Sequence, residues 1–293
     1  MHFGDRLASA VRTKRSAVCV GLDPRWQSLP ATLRGKIESS DLASVARVTQ
    51  QFCCEVIDAV YDLVPIVKPQ AAFFEQLGPL GMQCMAAVIR HATSRGLLVL
   101  LDGKRGDIGS TAEAYAEAYL GSTSPWGCDA LTVNPFLGED TLQPFVQQAQ
   151  ASDAGIFVLV KTSNPGSSYL QDVPFEGGHI YDRVASTVES LAKASRGDSG
   201  YGIVGAVTGA TYPEELVALR EKMPSAWLLI PGYGAQGAGA KDVRGGFDSQ
   251  GLGAIVNSSR GIIFAYGSPD SAGTNWQSAV QNAAQQMSQE LPH

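Results

Sequence analysis

The densest chemistry in the chain lies in Leu97-Leu98-Val99-Leu100-Leu101-Asp102-Gly103-Lys104-Arg105-Gly106-Asp107-Ile108. Its run of aliphatic residues predicts a strand covered on both faces, as in a parallel sheet. Charge then arrives at the strand's C-terminal end. Side chains alternate along a strand, so Asp102 and Lys104 point the same way, while Asp107 follows in a glycine-loosened turn. Charge at the end of a very apolar strand lies where parallel α/β folds place their chemistry. A solvated strand-to-helix loop would also carry charges. Setting them against so apolar a strand has a desolvation cost that favours a functional reading.

Similar chemistry ends other apolar runs. Asp23 closes the run 17–23, and Lys68 lies at the end of 63–69. Lys161-Thr162-Ser163-Asn164-Pro165-Gly166 follows 155–160, and Pro231-Gly232-Tyr233-Gly234-Ala235-Gln236-Gly237 follows 227–230. Asn257-Ser258-Ser259-Arg260-Gly261 ends the run that starts at 253. Two further strands are predicted at 130–133 and 202–207. Helical patterns fill the intervals at 3–14, 41–62 (Asp41 as N-cap), 75–95, 110–121 (closed by Gly121), from about 140, and 180–195. The last two begin at Pro213 and span 275–290. After the seventh strand comes a glycine-rich loop instead of an obvious helix.

Eight strands alternating with helices, without a linker-like break, predict an α/β fold: one (β/α)8 TIM barrel over residues 1–293, with a short N-terminal helix and a C-terminal helix. All strand C-termini then share one mouth, and residues far apart in sequence converge there. The loops after strands seven and eight form the usual barrel phosphate site. Their glycines let backbone N–H groups approach an anion, and Arg260 offers a bidentate charged contact. Gln236 sits on the loop most suited to closing over it.

With 293 residues and 44% hydrophobic content, the chain has ample material for a core. Its net charge of -6 argues against nucleic acid or an anionic membrane surface as the main partner. The five cysteines (Cys19, Cys53, Cys54, Cys84 and Cys128) are odd in number and form no CxxC pattern. They suit reduced thiols better than a disulfide framework or a zinc site. No apolar run approaches membrane-spanning length, and the charged N-terminal stretch lacks the apolar core of a secretion signal. Cytoplasm is the expected location.

The Asp102-x-Lys104-x-x-Asp107-Ile108 motif closely resembles that of the orotidine 5′-phosphate decarboxylase family. The match continues through Asp23, Lys68, Thr111, Ser163-Asn164-Pro165-Gly166, Pro231-Gly232-x-Gly234-x-Gln236 and Arg260. Thr132-Val133-Asn134-Pro135 and Val256-Asn257-Ser258-Ser259-Arg260-Gly261 are similar to the longer, second bacterial subfamily. Gly103, Arg105 and Gly106 depart from the shorter subfamily's motif, which bears on the loop's backbone path rather than on its chemistry.

The resemblance implies decarboxylation of orotidine monophosphate to uridine monophosphate, with no cofactor and no metal. Lys104 would stabilise and protonate the C6 carbanion, with Asp102 against the substrate carboxylate. Lys68, Asp102, Lys104 and Asp107 would form a catalytic array of alternating sign, each member favouring the charged form of the next. By the same resemblance Asp23 and Lys68 meet the ribose, Ser163 the pyrimidine edge, and Gln236 and Arg260 the phosphate. Pro231 and Ser259 complete the substrate-binding set. Asp107 and Thr111 would reach the ribose of a neighbouring subunit's site, implying a homodimer.

Three other readings compete. A metal-dependent sugar-phosphate lyase of the same superfamily needs an acidic ligand at the end of strand two, where this chain has Lys68. A Schiff-base aldolase needs a lysine whose pKa is lowered, whereas Asp102 and Asp107 would hold Lys104 charged. A barrel that only binds nucleotide has no use for charges at a core edge.

Overall fold

The structure, a computed structural model, describes residues 1–210, 213–234, 237, 239–268 and 275–292. Eight parallel strands close a barrel: β1 (Val18–Leu22), β2 (Ile66–Pro69), β3 (Leu98–Arg105), β4 (Ala130–Val133), β5 (Gly155–Lys161), β6 (Val204–Thr208), β7 (Leu228–Ile230) and β8 (Ala254–Ser258). Each strand pairs with its successor. The seam is closed by β1 against β8, with Val18 opposite Val256. Every residue of β1, β2, β4, β6 and β7 is buried, as expected of strands with a packed lumen on one side and helices on the other.

The helices are α1 (Phe3–Lys14), α2 (Leu42–Val60), α3 (Gly78–Ser94), α4 (Gly109–Tyr119), α5 (Gln143–Ala151), α6 (Ile180–Ala194), α7 (Pro213–Lys222) and α8 (Trp276–Glu290). Asp41 caps α2, its carboxylate accepting from the Ser44 N–H at 3.1 Å. The buried residues Val45, Val48, Phe52, Val56 and Val60 then form a stripe at helical spacing toward the sheet. The connection from β7 to β8 holds, among the described residues, two short turns, helical Ala240–Val243 and 3-10 Arg244–Gly246, and no longer helix. It answers to the glycine-rich stretch in the sequence.

Three predicted boundaries change. The helix expected from 75 begins at Gly78, because Ala72–Glu75 form a separate turn and Gly78 takes left-handed backbone (φ 62°) between them. Gly121 does not cap α4: Leu120, in extended backbone, does, and Gly121 lies one residue beyond. Residues Glu139–Leu142 form a 3-10 turn before α5. The connection from β5 to α6 also carries a small antiparallel hairpin, Pro174–Phe175 with Gly178–His179.

At the N-terminal end of the barrel, α1 forms the floor. Phe3, 1% exposed, meets the edge of Phe157 with ring centroids 6.0 Å apart. Gly155 makes room for it, since a Cβ there would lie 2.2 Å from the Phe3 ring. Trp227 Nε1 donates to the Gly4 carbonyl at 3.3 Å, and Arg6 pairs with Asp129 at 2.7 Å.

Candidate active site

A cavity of about 570 Å³ opens at the opposite end, among the strand C-termini. It is lined by Asp23 beyond β1, Lys68 of β2, Asp102 and Lys104 of β3, and Thr132 of β4. Ser163 beyond β5, Pro231 beyond β7, and Ser259 and Arg260 beyond β8 complete the ring.

Asp102 is the hub, 7% exposed and surrounded by donors. Lys68 Nζ and Gln70 Nε2 donate to its Oδ2 at 2.8 and 2.9 Å. Lys104 Nζ and Thr132 Oγ1 donate to its Oδ1 at 2.6 and 2.9 Å. Burial alone would raise the carboxyl's pKa, but the Lys68 and Lys104 charges outweigh it and hold it well below the ordinary 3.8. Burial works against the Lys68 ammonium as well. There Asp102, then Asp23, prevails and pushes its pKa above the ordinary 10.5. The result is a Lys68–Asp102 pair held in its ionised form, with Lys104 Nζ bound to the other carboxylate oxygen in a Lys68–Asp102–Lys104 triplet.

Lys104 stands in left-handed backbone (φ 47°), which costs a non-glycine residue about 1–3 kcal/mol. The register between β3 and β4 slips between Leu101 and Arg105, and the Lys104 N–H goes to Thr132 Oγ1 at 2.9 Å. Gly103 and Gly106, the expected points of looseness, are not among the residues with positive φ. The unusual conformation falls on Lys104 itself, and strain of this kind clusters at functional sites.

Across the cavity, Asp23 Oδ1, Asn257 Oδ1 and Ser259 Oγ are buried without a hydrogen-bond partner among the described residues. Buried polar atoms are nearly always paired, so three such atoms in one cavity mark a surface made for a polar ligand. Gly232 (φ 102°) and Gly234 (φ 70°) bend the chain after β7 in a way that side chains disfavour. Arg260 opens a short helical turn, Arg260–Ile263, directly after β8. Gln236 lies outside the described residues.

Asp107 and Thr111 do not line the cavity. Asp107 is partly exposed, its Oδ1 accepting from the Ile108 N–H at 2.8 Å, and Thr111 is exposed on α4. Within one chain the alternating array therefore has three members rather than four. Sequence reasoning did not single out Gln70, and it gave no role to Thr132 and Asn257, which stood only inside quoted motifs. For Thr132 the physical signal was one polar residue in an apolar strand.

Lys161, at the end of β5, was read only as part of a strand-end cluster. It is buried and turns to an ion pair with Asp172, lying 3.5 Å from Glu215 of α7 and 5.0 Å from the Tyr181 ring of α6. These contacts tie the loop carrying Ser163 to two helices. Among the described residues, no group of three His, Cys, Asp or Glu side chains is placed to hold a metal ion.

A closed (β/α)8 barrel with a charged triplet at its mouth, and with glycines and an arginine after strands seven and eight, defines the class: a TIM-barrel enzyme acting on a phosphorylated compound. Within that class, the chain belongs to the orotidine 5′-phosphate decarboxylase / HUMPS family, whose model matches residues 16–274. It is 55% identical to an orotidine 5′-phosphate decarboxylase of Rhodopirellula baltica, with 99% of each chain covered. It is 44% identical to one from Deinococcus radiodurans, over 90% of each. The structure resembles that of the Leishmania donovani OMP decarboxylase, with a TM-score of 0.76, 31% identity, and coverage of 99% of this chain and 98% of that one.

Proposed function

We infer that the chain decarboxylates orotidine 5′-phosphate to uridine 5′-phosphate, a carboxy-lyase step of pyrimidine biosynthesis. The observation that carries this reading is the Lys68–Asp102–Lys104 triplet in the cavity of a chain from this family. Breaking the C6–carboxylate bond releases CO2 and leaves the electron pair on C6, where no adjacent group delocalises it. A fixed cation stabilises that charge as it forms, and Lys104 then supplies the proton. Water restores the ammonium. Asp102 anchors Lys104 and faces the substrate carboxylate.

Asp23 and Lys68 hold the ribose and Ser163 the pyrimidine edge. Arg260, Gln236, Ser259 and Pro231 form the phosphate side. The unpaired Asp23 and Ser259 atoms support this division. The metal-dependent lyase reading finds no support, because Lys68 occupies the position where an acidic ligand is needed.

Asp107 and Thr111 complete the site of a second copy in a homodimer. The loops after β3, β4 and β5 carry exposed apolar residues suited to such an interface, including Ile108, Phe136, Leu137 and Tyr169. The free cysteines and the lack of any described helix long and apolar enough to cross a membrane agree with a cytoplasmic enzyme. Fractionating source cells tests that location.

Incubating orotidine 5′-phosphate with the protein should lower the absorbance at the long-wavelength edge of its ultraviolet band and yield uridine 5′-phosphate, equally with and without EDTA. No product would overturn the reading, and loss of activity in EDTA would restore the metal-dependent one. In the same assay Lys104→Ala and Asp107→Ala subunits, each inactive alone, should recover activity on mixing. No recovery after proven subunit exchange would refute the shared site.

A further inference from the structure

We propose that Thr132 is a positioning residue for decarboxylation, fixing Lys104 and Asp102 relative to each other through one hydroxyl. The proposal rests on the functional reading above. Thr132 is 1% exposed, in the middle of β4 and at the edge of the cavity. Its Oγ1 accepts from the Lys104 N–H at 2.9 Å and donates to Asp102 Oδ1 at 2.9 Å. A hydroxyl has one proton, so giving it to Asp102 fixes which lone pairs face Lys104.

The two bonds act on different aspects of the same unit. One holds the backbone of Lys104 at φ 47°, where the β3–β4 ladder has slipped and the N–H meets a side chain instead of a carbonyl. The other supports the carboxylate that receives the Lys104 ammonium at 2.6 Å. Backbone direction and side-chain anchor together decide where Lys104 Nζ stands. Gln70 supports only the opposite oxygen of Asp102 and cannot replace this bridge.

Displacing a reacting group by about 1 Å is enough to cost on the order of 10²-fold in rate. Thr132→Val keeps shape and volume while deleting both bonds. It should lower kcat roughly 10- to 100-fold with little change in KM, because the hydroxyl is committed to protein rather than substrate. Thr132→Ser keeps the hydroxyl and should recover most of that loss. An NMR titration gives a readout that does not depend on turnover. Losing a donor should raise the Asp102 pKa in Thr132→Val but not in Thr132→Ser. Thr132→Ala replaces valine if that variant does not fold.

The proposal fails if Thr132→Val matches wild type in kcat and in Asp102 titration, or if serine is as slow as valine. A rise in KM at unchanged kcat also overturns it, because the hydroxyl would then be serving the substrate. A wild type inactive on orotidine 5′-phosphate would sink the functional reading instead, and the titration would still decide whether Thr132 governs the pair.

Discussion

The two ends of this barrel solve opposite problems with the same strands. At the floor, Phe3 packs on Phe157 over Gly155, and Trp227 finds a carbonyl for its indole N–H. At the mouth, Lys104 sits in left-handed backbone, and Asp23, Asn257 and Ser259 keep buried polar atoms unpaired among the described residues. The floor gains stability from ring packing and the Arg6–Asp129 pair, although His2 Nε2 and Arg6 Nε there also lack a hydrogen-bond partner among the described residues. The mouth gives some of that up to hold charges and donors ready for a ligand. Separating the two tasks lets the mouth be strained without endangering the fold, because the closed ladder between them is buried along most of its length.

Substitutions at opposite ends should therefore have opposite signatures. The largest effect belongs to Lys104→Ala. Losing a proton donor alone costs roughly 10²–10⁴-fold, and the lost cation adds to it. Its thermal midpoint should stay near wild type, since the side chain is about half exposed. Turnover within a factor of about ten of wild type, against that range, would remove Lys104 from the chemistry.

Phe3→Ala should invert the pattern, losing about 3–5 kcal/mol of stability in urea unfolding while active-site titration gives normal kcat per folded molecule. Comparable loss of kcat would show that the ends are coupled.

The smallest effect is the pH dependence of the mouth's own stability. Asp102 has a lowered pKa in the fold, so its contribution is complete above the ordinary 3.8 and drains away as pH falls below it. Lys68 is raised, so its contribution is lost only as pH climbs past its ordinary 10.5. Urea unfolding should show a plateau between these limits with respect to this pair, and an acid decline that Asp102→Asn lacks. An identical acid slope in both proteins would mean that other carboxylates control acid unfolding.

Much of this was legible in sequence where the signal is local or periodic. Asp41 announces a helix start, Pro213 another, and the apolar runs mark all eight strands. Convergence of Asp23, Lys68, Asp102, Lys104, Ser163 and Arg260 followed from the barrel alone, because strand ends share a mouth. Thr132 was not legible. Its role depends on a slipped register, and a threonine in a strand otherwise signals only β-propensity. Gly103 and Gly106 drew attention to themselves, whereas the left-handed backbone belongs to Lys104. The Lys161–Asp172 pair was hidden because opposite charges within a few residues of a turn are common, and burial cannot be read from them. Asp107 and Thr111, expected at the site from the resemblance, do not line the cavity within one chain.

The seam between β1 and β8 has a further consequence for how the molecule comes into being. Val18 meets Val256, and Gly21 lies so close to Ser259 that an added Cβ would approach its Cβ to 2.8 Å. Asp23 and Arg260 therefore stand on opposite banks of a join between the most distant strands in the sequence. Such long-range pairings form late, after the large loop-closure entropy has been overcome. Until then, two unpaired strand edges remain open to wrong partners. A nearly complete barrel would already hold Lys68, Asp102 and Lys104, yet lack a pocket that could grip a nucleotide at both ends. The pocket is thus complete only when the seam is closed, since its lining comes from both sides of that join.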